Sequence, residues 1–233
     1  MYSKPQKIAA EFIGTFAFVF FGVGAIVADQ FLRTNSPSLP GFGWLGVALA
    51  QGLAFGVVVT ALGHISGGHF NPAITIGFWV TRKISSFDTI VYWVAQFGGA
   101  IAAAYLLRTL PFEAWSSVQL GTPALAIGIT RATGIIFEAA MTFVVVFVFF
   151  ATNVDRRNAS PQTSGLAVGL AVTVAVLLGG PFTGAALNPA RVMGPALAAN
   201  HWTNIGVYMI GPLGGGVVAG WLYDTLFLSK KEI

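Results

Sequence analysis

No cysteine occurs in this chain of 233 residues, and only three histidines do, His64, His69 and His201. That composition argues against a thiolate or imidazole metal centre, so neither a metal nor another cofactor is expected. Charge is scarce as well. Asp, Glu, Lys and Arg make up 9% of the residues, against about 25% in a water-soluble globule. The acids and hydroxyls form no catalytic constellation, and the glycine runs Gly98-Gly99 and Gly214-Gly215-Gly216 lack the surroundings of a phosphate cradle. The chain is therefore read as not an enzyme. Its net charge of +4 reads as a topology bias, which leaves no need for a nucleic-acid partner.

What the chain has instead is apolar length. Hydrophobic residues are 55% of it and the mean hydropathy is +0.77. No Asp, Glu, Lys or Arg falls within 12–28, 34–81, 89–107, 139–154, 158–190 or 192–223. Several of these runs reach the ~20 residues that a membrane-crossing helix needs. Six spans are predicted, near 7–28, 43–63, 88–107, 132–152, 164–180 and 205–227. The 29 glycines suit helices in lipid, where close packing replaces the hydrophobic drive. Residues 1–7 run too soon into Glu11 for a cleaved secretory signal. The expected class is an all-α integral membrane protein with the bilayer as its solvent.

Asn-Pro-Ala occurs twice, at Asn71-Pro72-Ala73 and Asn188-Pro189-Ala190. Its surroundings repeat too: the stretch from Glu11 to Thr15 matches that from Glu138 to Thr142, and Tyr92 to Gly99 matches Tyr208 to Gly215. The offsets are 127 for the glutamates, 117 for the asparagines and 116 for the tyrosines. Such regularity marks a tandem duplication within one membrane domain over 1–233, with repeats at about 1–110 and 131–233. Each Asn-Pro-Ala opens a further apolar piece, near 70–80 and 188–198, too short to span. Proline suits the first helical turn, where its missing N–H is not needed. These pieces are read as half-helices entered through extended backbone, which survives at membrane depth only when buried or lining water.

Lys4, Lys7, Arg82, Lys83, Arg156, Arg157, Lys230 and Lys231 fall on one side of a six-span arrangement, and Arg33, Arg108 and Arg131 on the other. Eight against three puts both termini in the cytoplasm. Three spans per repeat is an odd number, so the repeats lie inverted and their half-helices enter from opposite faces.

The stretches from Gly63 through His64, Gly67, Gly68, His69 and Phe70 to Ala73, and from Gly184 to Arg191, resemble the two loop motifs of the aquaporin family, the major intrinsic proteins. The resemblance runs over nearly the whole chain. It implies a right-handed bundle of six helices and two re-entrant half-helices that meet mid-membrane. It also implies a homotetramer with one pore per subunit. Two helix N-termini meeting there carry partial positive charge. Asn71 and Asn188 can cap them and aim spare amide N–H groups at a passing water, which breaks the donor chain a proton would follow. Carbonyls of Gly67, Gly68, His69 and Phe70, and of Thr183, Gly184, Ala185 and Ala186, are expected along one wall.

Arg191 is the only charge between Asn158 and Tyr223, and an intramembrane arginine is costly enough to suggest function. An arginine snorkelling to the outer surface is the alternative. The resemblance places Arg191 in an outer constriction, and counting from the motifs adds Gln51, Val176 and Ala185. Strict water channels of the family carry Phe and His where Gln51 and Val176 stand. The small Val176 and Ala185 resemble wider, solute-permeable constrictions, and Phe55, one turn below Gln51, could narrow the pore instead. The glycerol-channel subgroup has Asp where Val192 stands. Glu11 and Glu138 are read as braces that accept loop N–H groups, and His64 as a brace or a residue of the cytoplasmic mouth.

The expected function is a passive water channel that also admits a small uncharged solute and excludes protons and ions. A facilitator mainly for urea, ammonia, a metalloid acid or glycerol is the alternative, and a coupled carrier or a non-conducting structural membrane protein the more distant ones. The expected location is a microbial plasma membrane. Mercurials block channels of this kind through a pore-side thiolate. Without cysteine, water flux through the reconstituted protein is expected to be unchanged by a mercurial; a block reversed by added thiol would contradict this.

Overall fold

The computed structural model describes residues 2–36, 38, 40–157 and 163–228, so Lys230 and Lys231 of the charge tally lie outside it. Among the described residues six helices are long and apolar enough to cross a membrane. They are α1 (Lys4–Asn35), α2 (Gly43–Ser66), α4 (Ser86–Leu107), α6 (Arg131–Phe149), α7 (Ser164–Thr183) and α9 (Ile205–Leu226). A π-helical turn, Phe150–Val154, prolongs α6. Two short helices, α3 (Pro72–Val80) and α8 (Pro189–Ala199), follow the two Asn-Pro-Ala motifs. Their 9 and 11 residues at 1.5 Å each cover about half the hydrocarbon core.

Local chemistry explains the ends. The Ser85 and Thr130 hydroxyls cap α4 and α6 by accepting the N–H of Asp88 and Thr133. Helix α1 runs seven residues past its expected end, to Asn35. Asp29 makes that extension stable: it pairs with Arg33 one turn on at 2.8 Å and accepts the N–H groups of Phe42 and Gly43. The half-helix α3 starts at Pro72 and not at residue 70, because Phe70 is left-handed at φ 47° and Asn71 is extended. Between α4 and α6 the chain forms α5 (Phe112–Trp115) and a 3-10 turn at Gln119–Gly121, neither of which was anticipated.

Packing follows the duplication. Helices α1 and α4 cross where a Cβ on Gly99 would stand 2.3 Å from the Phe12 carbonyl oxygen. The equivalent crossing of α6 and α9 has Gly215 at 2.2 Å from the Ala139 oxygen. Only glycine permits backbones this close, as in lipid-embedded bundles generally. Helices α2 and α7, the middle helices of the two repeats, cross each other, with Gly52 against Gly169 and Thr173. Each half-helix then lies against the last span of the other repeat, α3 on α9 and α8 on α4.

Ion pairs gather at the end of the bundle where α1 starts and α9 finishes. Lys4 pairs with Asp88 at 3.3 Å and Lys83 with Asp224 at 2.7 Å. Asp155 accepts from Arg157 and from the Tyr223 hydroxyl, and the Arg157 guanidinium beside it holds its carboxyl well below the usual range.

The glycine crossings predict a sharp contrast. Gly215→Val is expected to lower stability by at least about 2 kcal/mol, since neither backbone can retreat from the added atoms. Gly214→Ala, with nothing within 4 Å of its Cβ, is expected to melt like the parent in a fluorescence-detected thermal scan. Equal melting of the two variants would refute the close-contact account.

Candidate functional site

A re-entrant loop at mid-membrane leaves backbone N–H groups without water or a helical partner, and each must be met from within the protein. Glu11, fully buried on α1, meets those of the first loop. Its Oε1 accepts from His69 N (3.0 Å) and the Ser66 hydroxyl (2.6 Å), and its Oε2 from Phe70 N (2.8 Å) and Gln96 Nε2 (2.7 Å). Glu138 on α6 does the same for the second loop. Its Oε1 takes Ala186 N (3.0 Å) and the Thr183 hydroxyl (2.6 Å), and its Oε2 takes Leu187 N (2.9 Å). The repeated tyrosines close the other side: Tyr92 donates to the Ser66 carbonyl at 2.7 Å and Tyr208 to that of Thr183 at 2.9 Å.

Held this way, the loops adopt matching left-handed conformations. Gly67, Gly68 and Phe70 have φ of 99°, 73° and 47°, and Gly184, Ala185 and Leu187 have 82°, 45° and 58°. Phe70, Ala185 and Leu187, the three that are not glycine, bear a strain cost of about 1–3 kcal/mol each, offset by the carboxylate bonds. The asparagines then face each other. Asn71 Oδ1 caps α3 through Ala73 N (2.7 Å), and Asn188 Oδ1 caps α8 through Ala190 N (2.9 Å) and Arg191 N (3.3 Å). Each carboxamide also donates across the junction, Asn71 to the Leu187 carbonyl at 3.0 Å and Asn188 to the Phe70 carbonyl at 2.9 Å. One N–H per asparagine remains.

Arg191 sits in the first turn of α8, 1% exposed. Its Nη1 donates to the Gly121 carbonyl at 2.8 Å, while Nε and Nη2 have no partner. Gln51 is equally buried, and its Nε2 is also unpartnered. Both occupy one level of the bundle: the Gln51 side chain lies against Gly22 of α1, and Gly121 against the adjoining Val23. Val176 and Ala185 are fully buried. Phe55 packs edge-on against Phe18 (5.0 Å) and Phe70 (6.4 Å).

Comparison with known proteins identifies the family. The family model described as Major intrinsic protein matches residues 2–223. The chain belongs to the major intrinsic protein family. It is 43% identical over 228 residues to the aquaporin TIP4-1 of Zea mays, covering 97% of this chain and 87% of that one. It is 38% identical over 224 residues to the aquaporin TIP2-1 of Arabidopsis thaliana, covering 96% and 88%. Its fold is similar to the crystal structure of the aquaglyceroporin from Plasmodium falciparum, with a TM-score of 0.83 at 24% identity over 96% of this chain and 97% of that one. As a member of this family the protein is a passive transmembrane channel for water and small solutes.

Two expectations about this major intrinsic protein need correction. Thr183 is still the last residue of α7, with its hydroxyl on Glu138 and its carbonyl taken by Tyr208. It is the counterpart of Ser66, and the second loop runs from Gly184 to Leu187. His64 is not a brace: it is exposed at the end of α2 and meets the Tyr2 ring edge-on at 5.7 Å, which leaves its other reading, a residue of the mouth at that end.

Sequence reasoning also missed an asymmetry. In the first repeat His69 Nδ1 lies 3.1 Å from the Thr75 hydroxyl, which donates to the Asn71 carbonyl and accepts from Gln96. The duplication offsets place Ala186, Val192 and Pro212 at the corresponding positions, an apolar set. The His69 ring thus faces away into Phe78 and Tyr92. Gly121 was missed because nothing in its local sequence links it to a residue 70 positions on.

Removing a brace strands several buried donors at once. Glu138→Ala is expected to cost at least about 3 kcal/mol, from two orphaned N–H groups and a hydroxyl. Glu138→Gln, which keeps an accepting oxygen, is expected to melt between the two. An alanine variant that melts like the parent and conducts water would show that the loop holds itself.

Proposed function

We propose that the channel conducts water together with small uncharged solutes, urea ahead of glycerol, and excludes protons and ions without any covalent chemistry. The observation that carries this is the set of three buried, unpartnered donor nitrogens, Gln51 Nε2 and Arg191 Nε and Nη2. A buried donor without an acceptor costs about 1–3 kcal/mol, and a passing carbonyl or water oxygen would relieve that cost. A solute that must shed water needs its hydrogen bonds returned. Glycerol ranks behind urea in this reading because Val192 stands where the glycerol-channel subgroup carries Asp.

Proton exclusion in this reading comes from the paired half-helix N-termini and the one free N–H of each asparagine, which orient water as an acceptor. The excess of Lys and Arg at the end bearing both termini supports a cytoplasmic placement of that end. The exposed apolar faces of α2 and α7, including Leu53, Val57, Leu166 and Leu170, flank a groove of about 340 Å³. Association of four chains, typical of the family, belongs to the same reading.

Stopped-flow light scattering on proteoliposomes tests the solute. The parent is expected to pass water and urea, and Gln51→Phe with Val176→His to retain water while reducing urea flux at least about tenfold. A parent that passes water alone would mean that Phe55 or the packed Gln51 side chain sets the width.

A further inference from the structure

A cavity of about 540 Å³ opens at the end of the bundle where α1 and α4 start, and reaches the first re-entrant loop at Ser66, Gly67 and His69. Lys4, Lys7 and Lys83 line it, with Asp88 as the one acid. Lys4 is spanned to Asp88 and Lys83 to Asp224, whereas among the described residues Lys7 has no ion-pair partner. The rest of the wall is mainly apolar, including Ile8, Phe87 and Val91. It is continuous with a lipid-facing strip of α4, where Phe87, Ile90 and Val94 are 64%, 61% and 67% exposed. Cationic heads at the rim and an apolar wall leading down the side of the bundle match one kind of molecule in a bilayer.

We propose that this cavity binds one anionic phospholipid, its phosphate among Lys4, Lys7 and Lys83 and the first part of an acyl chain along Ile8, Phe87 and Val91. A soluble phosphate would meet the lysines but leave the apolar wall in water. A zwitterionic lipid would cover the wall but bring its own cation to the lysines. Each lysine near an anionic surface strengthens attraction severalfold, and the effect is screened by salt.

Native mass spectrometry of the purified full chain in detergent tests this, with phosphatidylglycerol and phosphatidylcholine of identical acyl chains added in turn. One phosphatidylglycerol per chain is expected to be retained, with an affinity about tenfold above phosphatidylcholine. The triple change Lys4→Gln, Lys7→Gln and Lys83→Gln is expected to erase that preference, while Arg108→Gln at the opposite end keeps it. Unaltered water flux in liposomes certifies the variants as folded. Should the triple variant fail to fold, Lys7→Glu alone, which breaks no ion pair, is expected to lower the preference at least about threefold. Equal retention of the two lipids, a preference that survives the lysine changes, or displacement of the lipid by glycerol phosphate at matched concentration would each overturn the proposal.

Discussion

Two buried carboxylates decide whether this bundle can hold a water path at all. A helix satisfies its own backbone, but the stretches before Asn71 and Asn188 cannot, and in hydrocarbon each unmet N–H is costly. Glu11 and Glu138 gather those groups from a neighbouring helix and fix the loops at their left-handed bends. Once the bends are fixed, the two half-helices point their N-termini at one another, and the asparagines are near enough to bond across the junction. The caps, the crossed amides and the placement of Arg191 all follow from that arrangement.

The scaffold around the loops is symmetric, and the chemistry inside it is not. Glycine crossings at Gly99 and Gly215, and tyrosine bonds from Tyr92 and Tyr208, recur in both repeats. The first loop then adds His69, Thr75 and Gln96, a polar set behind its wall, where the second has Ala186 and Val192 packed on Val207 and Tyr208. Arg191 belongs to the second repeat alone, its counterpart being Ile74. Duplication supplied two equal supports, and divergence gave a buried arginine to only one of the two half-helices.

Around Arg191 the interior is rich in donors: Arg191 Nε and Nη2 and Gln51 Nε2 are buried without an acceptor, and Val176 and Ala185 are small and buried as well. In the proposed reading these nitrogens select by the oxygen a molecule can offer. The basic end of the bundle works on different terms: there the proposed headgroup sits among Lys4, Lys7 and Lys83, beside an apolar wall.

Much of this was legible before any coordinates. Low charge and apolar runs determined six spans, because bilayer thickness sets helix length. The repeated Glu, Asn-Pro-Ala and Tyr determined the inverted duplication and the half-helices, because proline and asparagine act locally at a helix start. Arg191 stands out as the lone charge between Asn158 and Tyr223, whereas Gln51, Val176 and Ala185 are marked only by the family resemblance. What tertiary structure alone decided are the contacts between distant segments: Gly121 on Arg191, Thr183 held as the end of α7 by Glu138 and Tyr208, and the close approach of Gln51 to Gly22. A one-dimensional pattern records which residues are polar and how far apart they stand. Which atom a buried donor finds, or fails to find, depends on how helices cross in three dimensions, and that is set by packing across the whole bundle.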